Sequence, residues 1–251
     1  GAILAEFEEM KVRSELPRHE QVGGIVILQE DDPDGAERII SERPSVHTAL
    51  YAQSGVSGPF RTKRFRVLAG EETTATTVTE YGRVFFVNLE KAYFSARLAS
   101  ERQRIVSMMG EKEVVMDMFA GVGPFAIMLA ERAEAVWACD LNPGAVSLMI
   151  QNIAQNHTPN VIPVLGDAGA LPGIFEGRFD RIIMNLPLMA TRFLDAAFSL
   201  CRPGGTIHLY ALMAEEEDPD LTGYPVLSVQ KRFVRSYAPG RAHMVYDIRV
   251  S

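Results

Sequence analysis

The stretch 114–125 constrains the fold more than any other part of the chain, because it joins an apolar segment to two glycines and a proline. The apolar segment contains one carboxylate, Asp117, and such a segment is typical of a strand buried on both faces of a parallel sheet. Gly121 and Gly123 allow the chain to turn sharply and bring backbone amides close to a ligand. Pro124 suits the first turn of a helix. The stretch therefore predicts a strand, a turn and a helix start that form a small-molecule site.

Asp117 also indicates which cofactor this site binds. The spacing from Gly121 to Ala126 fits the G-x-G-x-x-G/A pattern of dinucleotide sites, which is weak evidence by itself. A carboxylate just before the glycines repels a pyrophosphate, whereas it attracts a sulfonium or ammonium cation. We therefore expect S-adenosylmethionine (AdoMet) rather than NAD. An aspartate that caps the turn and binds no ligand is the alternative from this stretch alone.

Composition limits the classes of protein to which the chain can belong. With 251 residues, 47% of them hydrophobic, it can form one large domain or two small ones around an ordinary core. The net charge of −7 argues against a general nucleic-acid binder, so an RNA contact requires a local basic patch such as 61–66. Basic residues in that segment also suit an edge strand.

The cysteines and the N-terminal residues bear on the compartment. The two cysteines have no metal-ligand spacing, and the first residues do not resemble a signal peptide. No stretch is long and apolar enough to span a membrane. We therefore expect a cytoplasmic protein that binds neither a metal ion nor a membrane.

Strands and helices alternate along the second part of the chain. Strands are predicted at 114–118, 136–140, 161–165, 180–184, 206–211, 226–235 and 242–250, helices at 98–109, 124–132, 143–156 and 189–200, and a turn at 201–205. Five strand–helix units closed by a β-hairpin describe the Rossmann-like parallel sheet of a class I AdoMet-dependent methyltransferase. We therefore predict an α/β catalytic domain at 96–251.

The first part of the chain lacks this regular alternation of strands and helices. Strands are predicted at 24–28, 46–52, 73–80 and 83–88 and a helix at 33–42, with no nucleotide-binding motif. This pattern predicts a smaller α+β domain at 1–95.

Three aspartates follow strand ends in the second domain. In an open parallel sheet, ligands bind beyond the carboxyl ends of the strands, where Asp117, Asp140 and Asp167 are expected. Asp140 lies 19 residues after Gly121, a spacing that suits the ribose hydroxyls. Asp167 is placed to accept a hydrogen bond from the adenine amino group. One such aspartate usually only caps a turn, whereas three around a glycine turn indicate ligand binding.

Asn185-Leu186-Pro187 ends the fourth predicted strand, close to the expected methyl-transfer position. By itself, this asparagine is better explained as a helix cap. Many methyltransferases that act on nitrogen in a planar ring or amide carry an Asn-Pro-type motif at this strand end. The asparagine amide can hydrogen-bond the edge of the ring.

Several segments together carry a more specific resemblance. They are Phe60-Arg61, Leu68-Ala69-Gly70-Glu71, Lys91-Ala92-Tyr93-Phe94-Ser95, Arg97, Glu101-Arg102, 117–125, 184–187 and Ser236-Tyr237-Ala238-Pro239. In order and spacing they resemble the archaeal and eukaryotic tRNA (guanine-N1-)-methyltransferase family, which methylates the guanosine immediately 3′ of the anticodon. The resemblance runs from about residue 23 to the end. It implies AdoMet as cofactor, tRNA as partner and no obligate protein partner, with the first domain binding or linking to RNA.

The resemblance also implies roles for single residues. Glu101 is implied as the general base for guanine N1, Arg61 as the cation that stabilises charge on the guanine carbonyl oxygen, and Asn185 as the residue that orients the base. Guanine N1 carries a proton and is a poor nucleophile, so a carboxylate has to remove that proton. A fixed cation suits the charge that grows on the carbonyl oxygen. Tyr93 and Arg97 are implied to line the pocket for cofactor and base.

Further cofactor contacts are expected at Phe119, Gly121, Gly123, Leu141, Asn185 and Pro187, which adjoin the strand ends. The alternative for Glu101 is an ordinary helix ion pair with Arg97 or Arg104. The tRNA is expected to contact 61–66 and the basic residues Lys231, Arg232, Arg235 and Arg241.

Departures from the family pattern keep other functions open. Ala96 replaces a usual proline, 72–74 lack a basic residue, and the chain starts almost directly in the family's second domain. The aminocarboxypropyl transferase of wybutosine synthesis naturally lacks the extra first domain, so length favours that relative. The Phe60-Arg61 and 185–187 segments favour the methyltransferase. A catalytically silent RNA-binding module with an AdoMet fold and a NAD-dependent oxidoreductase are the remaining alternatives.

Overall fold

The computed structural model describes residues 16–55, 57–60, 62–175 and 177–251. The chain divides into two compact units, Gly1–Ala96 and Arg97–Ser251. Among the described residues, no helix has the length and apolar character that crossing a membrane requires. The RNA-binding or linking role of the first unit stays a prediction.

The first unit contains a four-stranded sheet, a helix and a separate hairpin. The sheet has the order β1-β2-β3-β4, with β1 at His19–Val22, β2 at Ile25–Leu28, β3 at Thr48–Ala52 and β4 at Phe65–Gly70. Helix α1, Pro33–Glu42, begins where the Asp32 side chain accepts a hydrogen bond from the backbone of Gly35. The predicted hairpin is present as β5, Ala75–Glu80, and β6, Arg83–Asn88.

The second unit is built on a seven-stranded sheet with the order β12-β13-β11-β10-β7-β8-β9. The strands are β7 Glu113–Asp117, β8 Ala133–Asp140, β9 Val161–Leu165, β10 Phe179–Asn185, β11 Cys201–Met213, β12 Val226–Ala238 and β13 Arg241–Val250. Strands β7 to β11 run parallel, and β13 is antiparallel to both β11 and β12. The predicted parallel sheet closed by a C-terminal β-hairpin is therefore confirmed.

In the described part of the second unit, four α-helices precede or connect these strands. They are α2 Ala99–Met108, α3 Pro124–Leu129, α4 Pro143–Gln155 and α5 Leu194–Leu200, with short 3-10 helices at Ala96–Leu98, Ala168–Gly173 and Ala190–Phe193. Helix α4 begins as predicted, because the Asn142 side chain accepts a hydrogen bond from Gly144 and proline follows directly.

The turn predicted at 201–205 is wrong. These residues belong to β11, and the pairing with β10 shifts between Phe179↔Cys201 and Arg181↔Thr206. Gly204 adopts a φ of 80° inside this irregular pairing. The proline and glycines therefore make a bulge within a long strand, because a bulge accommodates the same special backbone angles as a turn.

Candidate active site

The carboxyl ends of β7, β8 and β10 bring three of the predicted residues to one edge of the sheet. Asp117 is the last residue of β7, Asp140 of β8 and Asn185 of β10. Strand β7 pairs with both β8 and β10, so these ends are neighbours. Asp167 follows β9, the next strand outward, after one intervening residue. The structure therefore places all four side chains along the edge where parallel sheets bind ligands.

Asp117 is the least satisfied of these carboxylates. The residue is 1% exposed, its Oδ1 accepts a hydrogen bond of 3.3 Å from the Phe119 backbone, and its Oδ2 has no hydrogen-bond partner among the described residues. Burial raises the pKa of Asp117 to about 8 against the lowering effect of the Phe119 hydrogen bond. An ionised carboxylate buried in this way is costly unless a cation or further donors approach it. Oδ2 therefore suits a positively charged ligand group.

The first amide of the glycine turn is hydrogen-bonded to Asp140, so it is not available to bind a phosphate. Gly121 and Gly123 adopt φ values of 58° and 95°, which favour glycine. The Gly121 backbone N–H donates to Asp140 Oδ2 over 2.8 Å. In dinucleotide sites the amides of such a turn face the pyrophosphate. Here an aspartate occupies that amide, so the geometry disfavours a dinucleotide.

Asp140 is fixed by two backbone donors. Besides Gly121, the Asn142 backbone N–H donates to its other oxygen, Oδ1, over 2.9 Å. Burial raises the pKa of Asp140, although the two backbone hydrogen bonds act in the opposite direction. Each carboxylate oxygen can accept a second hydrogen bond. The carboxylate is therefore oriented rigidly and can still accept from two neighbouring hydroxyl groups.

Asp167 has the contacts of a cap. Its side chain is exposed and accepts a hydrogen bond of 2.8 Å from the Gly169 backbone at the start of the 3-10 helix Ala168–Gly173. The Asx-type turn that was the simple alternative for one aspartate is therefore present here. The contact with an adenine amino group stays a prediction.

Exposed leucines lie among the acidic strand ends. Leu141, Leu165 and Leu188 are 51%, 57% and 53% exposed, and they lie at or just after the ends of β8, β9 and β10. Together they offer apolar surface to a flat ring. Leu141 was predicted, whereas Leu165 and Leu188 were missed; apolar residues at successive strand ends were the available signal. Phe119 is half-buried, with its ring 5.0 Å from that of Phe193.

Asn185 is not a helix cap. The cap position before the next 3-10 helix belongs to Met189, and Asn185 Oδ1 is buried without a hydrogen-bond partner among the described residues. The Pro187 carbonyl accepts a hydrogen bond of 3.0 Å from the Leu212 backbone, which fixes this loop against β11. The amide oxygen of Asn185 therefore remains available to an N–H donor of a ligand.

Glu101 lies in the first turn of α2 and is 8% exposed. The Arg104 guanidinium binds both of its carboxylate oxygens over 2.9 Å each, and the Tyr210 hydroxyl donates to Oε1 over 3.0 Å. The helix pair with Arg104 that was the alternative reading is present, but it is buried. Because each oxygen accepts two hydrogen bonds, Oε2 keeps one acceptor position.

Three predicted residues are not joined to this site by the structure. Arg61 lies outside the described residues. Tyr93 belongs to the first unit and is 62% exposed. Arg97 is the first residue of the second unit and is exposed. The roles of these residues stay predictions.

Comparison with known proteins assigns the family. The TRM5/TYW2 methyltransferase domain matches residues 76–222, more than half of the chain. The chain belongs to the TRM5/TYW2 methyltransferase family. The resemblance seen in the sequence is therefore confirmed, and the NAD-dependent oxidoreductase alternative is wrong.

Two relatives within the TRM5/TYW2 family are named for different reactions. The chain is 41% identical to tRNA (guanine(37)-N(1))-methyltransferase Trm5b of Pyrococcus abyssi, over 85% of the chain and 67% of the relative. It is 32% identical to tRNA(Phe) (4-demethylwyosine(37)-C(7)) aminocarboxypropyltransferase of Methanocaldococcus jannaschii, over 92% of the chain and 97% of the relative.

Solved structures of the TRM5/TYW2 family confirm the class I methyltransferase fold. The complex of aTrm5 and tRNALeu superposes with a TM-score of 0.83 at 32% identity, over 99% of this chain and 77% of that chain. M. jannaschii TYW2 in complex with AdoMet superposes with a TM-score of 0.72 at 28% identity, over 92% of this chain and 98% of that chain.

The raised pKa of Asp117 predicts how stability depends on pH. An unfolded aspartate loses its proton near pH 4, whereas folded Asp117 loses it near pH 8. Between these values the unfolded state is favoured increasingly as pH rises, at about 1.4 kcal/mol per pKa unit. Asp117→Asn removes this loss. The free energy of unfolding of the variant minus that of the wild type should therefore be several kcal/mol larger at pH 8 than at pH 4. Urea unfolding of the two ligand-free proteins at each pH measures this difference. The same difference at both pH values would contradict the burial of an unpaired carboxylate.

Proposed function

We propose that the chain transfers the methyl group of AdoMet to N1 of the guanosine immediately 3′ of the anticodon in tRNA. The observation that carries this proposal is Glu101, a buried carboxylate oriented by Arg104 and Tyr210 with one acceptor position left on Oε2. Tyr210 pairs with Asn185 across β11 and β10, so both side chains project from the same face of the sheet. A proton acceptor and a residue that can orient a base therefore lie beside one strand end.

The carboxyl edge of the sheet fits AdoMet. This cofactor supplies a methyl group bound to a positively charged sulfur, which a nucleophile can take. Asp117 offers a buried carboxylate oxygen to the ammonium group of the amino-acid end, and Asp140 offers both oxygens to the ribose hydroxyls. Leu141 and Leu165 provide apolar surface for the adenine ring.

The proposed reaction assigns the proton to Glu101. As the bond between N1 and the methyl carbon forms, the bond between that carbon and sulfur breaks and leaves a neutral thioether. The N1–H bond also breaks, and the proton passes to Oε2 of Glu101. Electron density moves to the guanine carbonyl oxygen during this step, and Arg61 is the cation proposed to stabilise it. Asn185 Oδ1 accepts a hydrogen bond from an N–H group of the base.

Several observations bear on where tRNA binds. Arg232 is exposed on β12, the strand at the edge of the sheet. Lys231, on the same strand, is already engaged, because its ammonium lies 2.8 Å from Asp218 and 2.8 Å from the Glu215 carbonyl oxygen. Arg241 donates to the Leu212 carbonyl over 3.2 Å. We therefore assign the larger tRNA contribution on this edge to Arg232.

The cysteines support a reducing compartment. Cys139 and Cys201 are free and buried, and burial raises the pKa of each thiol to about 12. Thiols in this state are unreactive, so the protein needs no oxidising environment. We place the reaction in the cytoplasm.

Aminocarboxypropyl transfer to a tricyclic guanosine derivative is the second candidate. The observation that favours it is similarity, since the chain is 32% identical to the M. jannaschii aminocarboxypropyltransferase and superposes on M. jannaschii TYW2 with a TM-score of 0.72. Both reactions use AdoMet but transfer different groups, so the mass of the modified nucleoside distinguishes them. A catalytically silent module gives no modified nucleoside.

Glu101→Gln tests the chemical step. The amide keeps the shape of the side chain but cannot accept the N1 proton, so the single-turnover rate should fall by about 10²–10⁴-fold. The affinities for AdoMet and tRNA should stay close to those of the wild type. The assay incubates the enzyme with AdoMet and unmodified tRNA, digests the tRNA and identifies N1-methylguanosine by mass.

The wild-type product decides between the candidate functions. An aminocarboxypropyl adduct would replace the methyltransferase proposal with the second candidate. A rate for Glu101→Gln equal to that of the wild type would exclude Glu101 as the base and leave the rest of the proposal standing.

Arg232→Glu tests the RNA surface, with Lys231→Glu as the matched control on the same strand. Because the Arg232 charge is exposed and Lys231 already has an acidic neighbour, Arg232→Glu should weaken tRNA binding more and flatten its salt dependence. Filter binding of tRNA at several salt concentrations measures both quantities. Equal and small effects of the two substitutions would show that tRNA binds elsewhere.

A further inference from the structure

A buried row of charged groups begins at Glu101 and runs along the sheet. Arg104 is shared between two carboxylates: it binds both oxygens of Glu101 and also donates to Asp247 over 2.7 and 3.2 Å. Burial alone would lower the pKa of Arg104, but the hydrogen bonds to both carboxylates raise it above its ordinary value. Arg104 is therefore a fixed cation between two anions.

The row continues from Asp247 through a histidine. His208 Nδ1 lies 2.6 Å from Asp247 Oδ1, and its Nε2 lies 2.7 Å from the guanidinium of Arg181. Arg181 in turn binds both oxygens of Glu113 over 2.8 and 3.0 Å. Arginine only donates, so Nε2 of His208 is the acceptor and the ring proton is on Nδ1, facing Asp247. Burial lowers the pKa of His208, which agrees with a neutral ring.

The charges in this row do not balance while Glu101 is ionised. Its members are the carboxylates of Glu101, Asp247 and Glu113, the guanidinium groups of Arg104 and Arg181, and the neutral His208. Three anions face two cations, and none of these side chains is more than 16% exposed. Burial alone would raise the pKa of Asp247, but the hydrogen bonds from His208 and Arg104 lower it below its ordinary value. Within these six side chains, negative charge therefore exceeds positive charge by one while Glu101 is ionised, and protonation of Glu101 removes that difference.

Further charged and titratable groups lie on the elements that pack near Glu101. Tyr210 of β11 donates to Glu101, and burial raises the pKa of its hydroxyl, so it stays neutral. His243 of β13 has its ring 5.9 Å from that of Tyr210; burial and Arg235 lower its pKa to about 4, so it is neutral at pH 7. Helix α3, which packs against α2, has no titratable side chain. On α2 itself, the Arg102 guanidinium lies 5.5 Å from the Phe125 ring centre.

Stability alone does not account for such a row. Moving charges out of water is expensive, and apolar side chains of the same volume commonly give equal or higher stability. The row also ends at the one carboxylate to which the reaction assigns a proton. A functional reason is therefore needed for three anions to share two cations.

We propose that Asp247 and His208 are positioning residues for proton transfer at Glu101. Asp247 takes part of the charge of Arg104, so Arg104 can fix the direction of the Glu101 carboxylate without neutralising it. His208 fixes the orientation of Asp247 through its Nδ1–H. Proton uptake by Glu101 then removes the excess negative charge of the buried row. The inference rests on the proposed role of Glu101 as the base.

Asp247→Asn tests the proposal by removing the second anion. The remaining row is then neutral with Glu101 ionised, so Glu101 becomes a weaker base. The single-turnover rate at pH 7 should fall by about 10–100-fold, because each tenfold loss of basicity at the carboxylate lowers the rate by up to about tenfold. The rising limb of the pH–rate profile should move to lower pH. The affinity for AdoMet, measured by calorimetry, should not change.

Two matched variants separate positioning from a loss of stability. Asp247→Glu keeps the charge and should keep the wild-type pH profile. Asp180→Asn removes a carboxylate that pairs with Arg202 and contacts the Val114 backbone outside this row, and it should leave the profile unchanged. Arg104→Lys keeps the cation without the planar fork and should lower the rate at saturating substrate. If Asp247→Asn does not fold, this variant tests whether the row positions the Glu101 carboxylate.

The outcomes are distinguishable. A folded Asp247→Asn variant with the wild-type rate and profile would overturn the inference, as would a profile shift of the same size in Asp180→Asn. If Asp247→Asn does not fold, an unchanged rate in Arg104→Lys would overturn it. A wild-type protein that forms no N1-methylguanosine would instead overturn the proposed function.

Discussion

The burial of carboxylates beside one edge of the parallel sheet is the constraint on which the rest of the structure depends. Each carboxylate is satisfied in a different way. Asp140 accepts two backbone N–H groups, and Glu101 is bound by Arg104 and Tyr210. Asp117 accepts one backbone N–H and keeps a buried oxygen without a partner among the described residues. The protein thus supplies the partners at two positions, and the third keeps an acceptor atom that suits a positively charged ligand.

The strand order brings the residues proposed to bind the cofactor and the base to the same edge of the sheet. Strand β7 carries Asp117 and lies between β8 and β10, so Asp140 is on one side of it and Asn185 on the other. Beyond β10, strand β11 carries Tyr210, which reaches Glu101. Gly121 and Gly123 have no side chain beyond hydrogen, and the Gly121 amide orients Asp140. The carboxylates proposed to bind the methyl donor therefore end β7 and β8, and the tyrosine that binds the proposed proton acceptor lies two strands from β7.

Local patterns predicted most of the second unit and part of the site. Strand 161–165 was predicted with its observed bounds, and Asn142 marks the start of α4, because alternation and caps are local signals. The strand predicted at 206–211 is shorter than the observed β11, because a glycine such as Gly204 is typical of a turn. Strand β1, His19–Val22, was missed because its sequence is mostly polar. The buried row was missed because Arg104 and Asp247 are 143 residues apart and share no motif.

Asp117 is proposed to form an ion pair with the ammonium group of AdoMet. Calorimetric titration of AdoMet at pH 7, in two buffers with different ionisation enthalpies, tests this directly. The pKa of about 8 means that Asp117 carries its proton in most ligand-free molecules at pH 7. An ammonium group at Oδ2 favours the ionised carboxylate, so binding should release most of one proton, and Asp117→Asn should bind more weakly without this release. AdoMet binding with no proton release in the wild type would contradict the account.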